Sequence, residues 1–383
     1  MIPLSIPNLQ GNEWKYVQDC LTTGWISSAG SYVNQFEDRV AQYAGAKYGI
    51  ACMNGTAGLH IAQLVCGVNA SDYVIAPNLT FVATLNAIKY TGATPILIDT
   101  LSNNWQMDLD LLETFLKEKT ELKQVGNSWY SFRKSDGKRI FAIMPVHVLG
   151  NIGDMEHLQQ IANTYHLEII EDSTEALGSY HNQKHAGTFG KLGVFSFNGN
   201  KIISSGGGGV IVTDDENLAK KAKHLTTTAK VSALDYIHDE IGFNYRMVNV
   251  LAAIGVAQME QFSEILTQKK QIDAFYRKEL EGVGDIIFQE IPEKTNPNCW
   301  LFTFRTDKMR LLLKFLNDSG VQSRPFWMPM NQLEMFKHEL FVNVNNESKK
   351  LYDTCISIPS SSGLTIAQLQ KTVETIRKFY SGV

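Results

Sequence analysis

The amino-acid sequence predicts an α/β protein: a mostly parallel sheet covered by helices on both faces, followed by a second, smaller α/β unit. Three observations carry that expectation. Through about residue 215, short β-branched runs alternate with segments of helical period, the pattern of strands joined by crossover helices. Of the 383 residues, 44% are hydrophobic and only 19% charged. Against a usual charged share of about 25%, this excludes a disordered chain and calls for extensive burial. The length itself allows about two to three structural units at roughly 150 residues each.

An N-terminal arm comes first. Asn12–Leu21 and Val33–Tyr43 have helical period, the second with apolar residues at Val33, Phe36, Val40 and Tyr43, and Gly24 and Gly45 suit the helix stops. Between them lies GWISSAGS, a turn-rich loop open to two readings, an ordinary surface loop or a substrate-contacting segment. Strands are then expected at Tyr48–Met53, Tyr73–Ala76, Pro95–Asp99, Phe141–Val146 and Leu167–Glu171, and helices at Thr56–Cys66, Ala83–Tyr90, Leu109–Lys119 and Met155–Tyr165. The polar stretch Glu121–Arg139 is the candidate for an excursion outside the core. After Phe195 and Val210–Thr213, again strand-like, the pattern turns helical over Val250–Phe262 and on to about Leu280. The TNPN turn at 295–298 precedes a strand Trp300–Arg305, a helix Lys308–Leu316, a strand near Ile356–Pro359 and a last helix Ile366–Phe379. The expected division is 1–265 for the arm and large domain and 266–383 for the C-terminal small domain, joined by a long helix.

Charge and cysteine usage narrow the function classes. Lys plus Arg total 35 and Asp plus Glu 39, a net −4 with no basic excess to neutralise a phosphate backbone, so nucleic acid is not an expected partner. The N-terminus MIPLSIPNLQGNEW has neither a basic n-region nor an apolar h-region, and no apolar run approaches the roughly 18 residues of a membrane span. A soluble, cytoplasmic protein without membrane contact is expected. Cys20, Cys52, Cys66, Cys299 and Cys355 form an odd, scattered set with no CxxC pair, which argues against a disulfide framework and a zinc site. Buried reduced thiols are the expectation, Cys52 and Cys66 sitting in apolar surroundings.

Three segments bear chemistry. Asn54-Gly55-Thr56-Ala57-Gly58 follows a strand and opens a helix, where free backbone N–H groups and small side chains make a phosphate cradle. A plain strand-to-helix turn would read the same way, and no GK[ST] follows, so this is not the P-loop pattern. The apolar strand ending in Glu171-Asp172 sets Asp172 at the carboxyl edge of a sheet, where it can meet a cationic group; a metal- or ribose-binding carboxylate is the alternative. Phe195-Ser196-Phe197-Asn198-Gly199-Asn200-Lys201, followed by Gly206–Gly209, sets a lysine at the end of an aromatic strand beside four glycines. That points to a nearby cofactor or, alternatively, to a glycine-rich hairpin with a surface lysine. Together, a cradle, a strand-end aspartate and a lysine 29 residues later (201 − 172) match a pyridoxal 5'-phosphate (PLP) site. In such a site the lysine forms a Schiff base, the aspartate pairs with the pyridinium nitrogen and the helix end receives the phosphate.

The segments GWISSAGSYVNQFE, NGTAGLHIA, APNLTFVATLNAI, PVHVLGNIGDM, IIEDSTEALGS, FSFNGNKIISSGGGG and GFNYRMVNVLAAIGVAQME occur in the order in which the DegT/StrS nucleotide-sugar aminotransferases carry them. The chain resembles that family nearly end to end. The resemblance implies the fold-type I, aspartate aminotransferase-like architecture of PLP-dependent transferases. It implies that Lys201 is the Schiff-base lysine and later the acid/base, that Asp172 binds the pyridinium nitrogen, that Phe81 stacks on the ring, and that Gly55, Thr56, Ala57 and Ser196 hold the phosphate. Asn244 would reach the phosphate of the neighbouring subunit, which implies a homodimer with shared active sites. Trp25, Ser27 and Ser28 of the turn-rich loop, and Arg324 near aromatics in the small domain, are candidate substrate contacts by position. For Arg324, packing and pairing at the surface is the alternative; no metal is expected. His147, in PVHVLG, is read as a hydrogen-bonded structural histidine rather than a site residue, and His181 and His185 as forming no metal-ligand set.

Two departures from the family's pattern stand out. Many relatives carry glutamine or histidine where this chain has Glu175, which faces the cofactor's phenolic oxygen; a carboxylate there is repelled unless protonated or paired with the Schiff base. Many also carry an acidic residue within the run that here is Gly206–Gly209. With Asn198-Gly199-Asn200 before the lysine, that run is most similar to the subgroup that aminates C4 of UDP-linked 4-keto-6-deoxy-N-acetylhexosamines, with L-glutamate as donor, for glycan sugars of the bacillosamine and legionaminic acid type. A dTDP- or GDP-linked keto sugar is the alternative substrate. A sugar dehydratase of the same fold would carry histidine at Lys201, and the rival from another class is a nucleotide-binding regulatory module without catalysis.

Overall fold

Strands Tyr73–Pro77, Thr94–Ile98, Leu192–Ser196 and Gly209–Thr213 are buried at nearly every position, as strands covered on both faces must be. In this computed structural model, which describes residues 1–232 and 234–382, they lie in one sheet. Its order is Tyr48–Cys52, Gly209–Thr213, Leu192–Ser196, Glu168–Asp172, Arg139–Ile143, Tyr73–Pro77, Thr94–Ile98 and Leu340–Val342. Gly209–Thr213 runs antiparallel to both neighbours, and the pairings from Leu192–Ser196 to Leu340–Val342 are parallel. The fold is the mostly parallel α/β sheet of the fold-type I transferases.

Helix starts follow from caps written in the sequence. Asn54, Asp108, Asp154 and Asp215 each accept a backbone N–H of the first turn with the side chain, and Thr365 makes a capping box with Gln368. Helices Leu109–Lys119 and Met155–Tyr165 accordingly match their expected bounds, as does Ala83–Tyr90, which starts without a side-chain cap. The stretch Glu121–Arg139 forms a largely exposed hairpin, Thr120–Val125 with Ser128–Arg133, and the second strand pairs antiparallel with the edge of Arg139–Ile143. Two expectations need correction. Thr295–Asn296 is not a turn but a short strand on Tyr180–His181, and the strand expected from Trp300 begins only at Thr303.

A second core gathers Ile272, Tyr276, Phe304, Leu316, Ile356 and Ile376 around a four-stranded antiparallel sheet. Residue 265 falls inside the helix Phe262–Leu280. Phe262 and Ile265 pack into the core beneath the large sheet, whereas Ile272, Tyr276 and Leu280 pack into the second one. The N-terminal arm is strapped to the second core: Ile2 bridges Val321, and Leu4 accepts from the Ser360 N–H. All five cysteines are free, Cys20, Cys52 and Cys355 buried and Cys66 and Cys299 partly so; burial pushes the Cys52 thiol up to about 12. Among the described residues, no helix is long and apolar enough to cross a membrane.

Candidate active site

The alternation of a strand sends neighbouring side chains to opposite faces, and Glu171 and Asp172 divide accordingly. Glu171, fully buried, accepts the N–H groups of Gly187 (2.8 Å), Phe189 (2.6 Å) and Gly190 (2.7 Å) and pairs with His147 Nε2 at 2.9 Å. That network makes Glu171 and His147 structural. Asp172, also buried, accepts from Thr84 Oγ at 2.7 Å and from the Thr174 N–H at 3.2 Å. Thr84 is itself 2.7 Å from the Thr80 hydroxyl. These few partners leave lone pairs of Asp172 for a further donor.

Strand register brings the other groups alongside. Val194 stands opposite Asp172, which sets Ser196 two residues further along the same edge. Gly55 packs into the space between: a Cβ there would lie 3.0 Å from Ser196 Cβ and 3.1 Å from Thr174 Cγ2. The Asn54 carboxamide accepts the Ala57 N–H at 2.8 Å, and the N-terminus of the helix Gly55–Cys66 lies beside Ser196 and Thr174, the end of a helix that offers N–H donors to an anion. The glycine run has a use within the protein itself. Gly208 bridges Asn54, and a Cβ at Gly209 would sit 2.7 Å from the Asn54 carbonyl carbon. Gly208 and Gly209 thus let the backbone press against the cradle turn.

Lys201 follows on the loop after Leu192–Ser196. Its Nζ lies 3.4 Å from Glu175 Oε1 and 4.3 Å from the Trp300 ring centroid. Glu175 is buried, and its Oε2 accepts the Leu149 N–H at 2.9 Å; Leu149 has a left-handed backbone, φ 61°. Burial pushes the Glu175 carboxyl up, with the Lys201 ammonium and the Leu149 N–H pulling the other way. Glu175 thus pairs with the free lysine amine. Phe81 is 52% exposed, on a loop tied down by Asn78, whose carboxamide bonds Asn331 and Ser348 of the C-terminal part.

The remaining candidates stand apart from this cluster. Trp25, Ser27 and Ser28 are exposed; buried Asn249 fixes their loop through the Trp25 and Ser27 carbonyls. Asn244 is exposed on a bridge with Thr227, and Arg324 is exposed with its guanidinium on the Ser323 carbonyl. Sequence reading missed Thr84, Thr174, the Leu149 N–H and Trp300. Only Thr84 left a signal, four residues after Thr80 on a helical stretch. One further expectation is corrected: His181 does stand with Asp154 and Glu156, their ligand atoms within 4.8 Å of one another.

A helix start closed in by Ser196 and Thr174 at Gly55, a buried strand-end carboxylate and a lysine amine fit the phosphate, pyridinium nitrogen and aldehyde of PLP respectively. Fold and site together define a PLP-dependent transferase of fold type I. The comparisons agree. The sequence matches the DegT/DnrJ/EryC1/StrS aminotransferase family over residues 7–377. It is 35% identical over 383 residues to the GDP-perosamine synthase of Escherichia coli O157:H7, covering 99% of each chain. It is 28% identical over 321 residues to the UDP-4-amino-4-deoxy-L-arabinose–oxoglutarate aminotransferase of Shewanella sediminis (strain HAW-EB3), covering 80% of this chain and 76% of that one. A DegT DnrJ EryC1 StrS aminotransferase from Brucella abortus superposes with a TM-score of 0.88 at 23% identity, covering 96% and 95% of the two chains. The chain belongs to the DegT/DnrJ/EryC1/StrS aminotransferase family and is a PLP-dependent nucleotide-sugar aminotransferase.

Proposed function

We propose that this aminotransferase moves an amino group from L-glutamate to a GDP-linked keto sugar, with Lys201 as the covalent anchor of PLP. The observation that carries the reaction is the Lys201 amine held 3.4 Å from buried Glu175 on the same sheet edge as Asp172 and the Gly55 cradle. The GDP reading draws its support from the relative named for GDP-perosamine, matched over 99% of its length. A UDP-linked 4-keto-6-deoxy-N-acetylhexosamine is the second reading, favoured by Asn198-Gly199-Asn200 and Gly206–Gly209 and by the more distant relative named for a UDP-linked sugar. The same relative, named for oxoglutarate, supports glutamate as donor.

When bound, PLP supplies an electron sink for the carbon that gains or loses the amine. Asp172 holds a proton on the pyridinium nitrogen, with Thr84 and the Thr174 N–H orienting its carboxylate. Gly55, Thr56 and Ser196 would hold the phosphate and Phe81 would cover one ring face; the Ala57 N–H, also expected at the phosphate, is already taken by the Asn54 carboxamide. Lys201 Nζ would be the group that accepts and returns the proton at the carbon bearing the amine, so its amine must alternate between base and acid. Glu175 receives the ammonium that forms, and that ion pair keeps its carboxylate from opposing the phenolic oxygen.

The proposal extends to a cytoplasmic homodimer in which Asn244 serves the neighbouring subunit's phosphate. Exposed Leu234, Tyr236 and Ile241, close to Asn244 in the chain, support a covered surface there. Residues 1–265 would carry the cofactor and 266–383 close over the substrate, bringing Arg324 with Trp25, Ser27 and Ser28 to the sugar. The test is a panel of GDP-, UDP- and dTDP-linked 4-keto sugars with glutamate, reading release of 2-oxoglutarate. Turnover with GDP sugars is expected; turnover confined to UDP sugars would give the second reading, and none with any sugar would overturn both.

A further inference from the structure

Lys201 has two neighbours at its amine, and only one belongs to the mechanism above. The other is Trp300, 99 residues away in sequence and 2% exposed. The residue is anchored at three points, one on the indole and two on its backbone. Nε1 donates to the Asn200 carbonyl at 2.7 Å, the backbone N–H donates to Asn298 Oδ1 at 3.0 Å, and the backbone carbonyl accepts from Lys269 Nζ at 2.8 Å. The anchors are costly groups to bury. Asn298 is fully buried, and its Nδ2 also donates to the carbonyls of Glu175 (2.7 Å) and Leu177 (2.9 Å). One side chain therefore fixes the backbones of both residues that flank the lysine amine. Lys269 is buried with no carboxylate within 4 Å among the described residues, and its ammonium spans the carbonyls of Trp300 and Ser360. The Asn200 carbonyl also accepts from Ser5 of the N-terminal arm at 3.1 Å.

We propose that Trp300 is a positioning residue for Lys201: its indole face holds the free lysine ammonium against the Glu175 carboxylate. The inference rests on the role proposed above for Lys201. A free lysine on four rotatable bonds explores many positions, and holding Nζ between a π face and a carboxylate confines it to the place from which it must act. To attack an aldehyde the ammonium first passes a proton to Glu175, 3.4 Å away, whose burial favours the protonated carboxyl, and water leaves as the C=N bond forms. A desolvated cation–π contact of this kind accounts for roughly a tenfold preference for the held position.

The test uses the apoprotein as wild type, Trp300→Phe and Trp300→Leu. Covalent capture of added PLP is timed by absorbance, then fixed with borohydride and located by peptide mapping; thermal unfolding is followed in parallel. Phenylalanine keeps a π face and loses the bond to Asn200, whereas leucine loses both. Both variants are expected to unfold at lower temperature, with capture by Trp300→Phe close to wild type and capture by Trp300→Leu slowed about tenfold. Equal slowing in both would make the indole structural only and overturn the inference. Should Trp300→Leu fail to fold, Trp300→Met, flexible enough to fill the space without a π face, is read the same way. PLP fixed elsewhere than Lys201 in the wild type would instead overturn the role of the lysine, so the two failures are distinguishable.

Discussion

Adding one carbon at Gly55 tests the phosphate cradle. In Gly55→Ala the new Cβ would meet Ser196 Cβ at 3.0 Å, Thr174 Cγ2 at 3.1 Å and Ser196 Oγ at 3.2 Å, each some 0.3 to 0.5 Å inside a comfortable contact of about 3.5 Å. Two of the three atoms belong to Ser196, so relief comes by moving a hydroxyl assigned to the phosphate or by shifting the helix start that presents the N–H donors. Overpacking of this kind costs about 1–3 kcal/mol, partly offset by less than ~1 kcal/mol from replacing glycine at a helical position. A hydrogen bond to a charged group contributes about 1.5–3 kcal/mol, so misplacing one donor weakens PLP binding roughly 10- to 100-fold. Apoprotein titrated with PLP, alongside thermal unfolding without it, separates the two effects. Ser196→Ala, which crowds nothing, should lose affinity about tenfold with little change in unfolding. Gly55→Ala protein that unfolds earlier yet binds PLP as tightly as wild type would mean the phosphate sits elsewhere.

Three further outcomes follow from the geometry. Thr84→Val removes the 2.7 Å donor to Asp172 but keeps its shape, and should weaken PLP binding about tenfold; unchanged affinity would show that Asp172 needs no support from that helix. Burial pulls the Lys269 amine down to about 7, so the folded protein releases this proton before the unfolded chain does. Wild-type stability therefore gains about 2 kcal/mol between pH 7 and pH 9, a gain absent from Lys269→Met and lost as pH falls back through 7. Parallel pH profiles in denaturant melts of the two proteins would count against it. If Asn244 serves the neighbouring subunit, a mixed dimer of Lys201→Ala and Asn244→Ala chains holds one site with both changes and one wholly wild type. Mixing the two inactive proteins should then restore turnover, and no recovery in verified mixed dimers would assign Asn244 to its own subunit.

Sequence reading succeeded where local chemistry decides the outcome. Asp108 and Asp154 cap their helices with their own side chains, so those starts are legible without the fold; Asp172 and Lys201 are singled out by their strand-end positions taken together with the cradle and the family resemblance. It failed where distant chain decides. Thr295–Asn296 carries turn-forming residues, yet Tyr180–His181 offers an open edge and the pairing prevails. Leu340–Val342, which lies alongside Thr94–Ile98 in the large sheet, drew no expectation, because three residues have no measurable period. Trp300 escaped for the same reason: its approach to Lys201 is set by Asn200, Asn298 and Lys269 together, none of which points to the others in sequence.

That dependence on distant chain bears on the division at residue 265. Leu340–Val342 completes one edge of the large sheet, Ile2 pairs with Val321, and the helix Phe262–Leu280 contributes to both cores. A chain ending at 265 would bare the edge of Thr94–Ile98, leave Ile265 without the rest of its helix, and remove both Asn298 and Trp300 from the lysine. An exposed, apolar parallel edge is a template for self-association, so such a fragment should aggregate rather than bind PLP. The composition that opened the sequence reading, apolar and weakly charged, is thus divided between two cores whose contact completes the lysine's surroundings. Residue 265 separates packing units, and the chemistry at Lys201 draws on both of them.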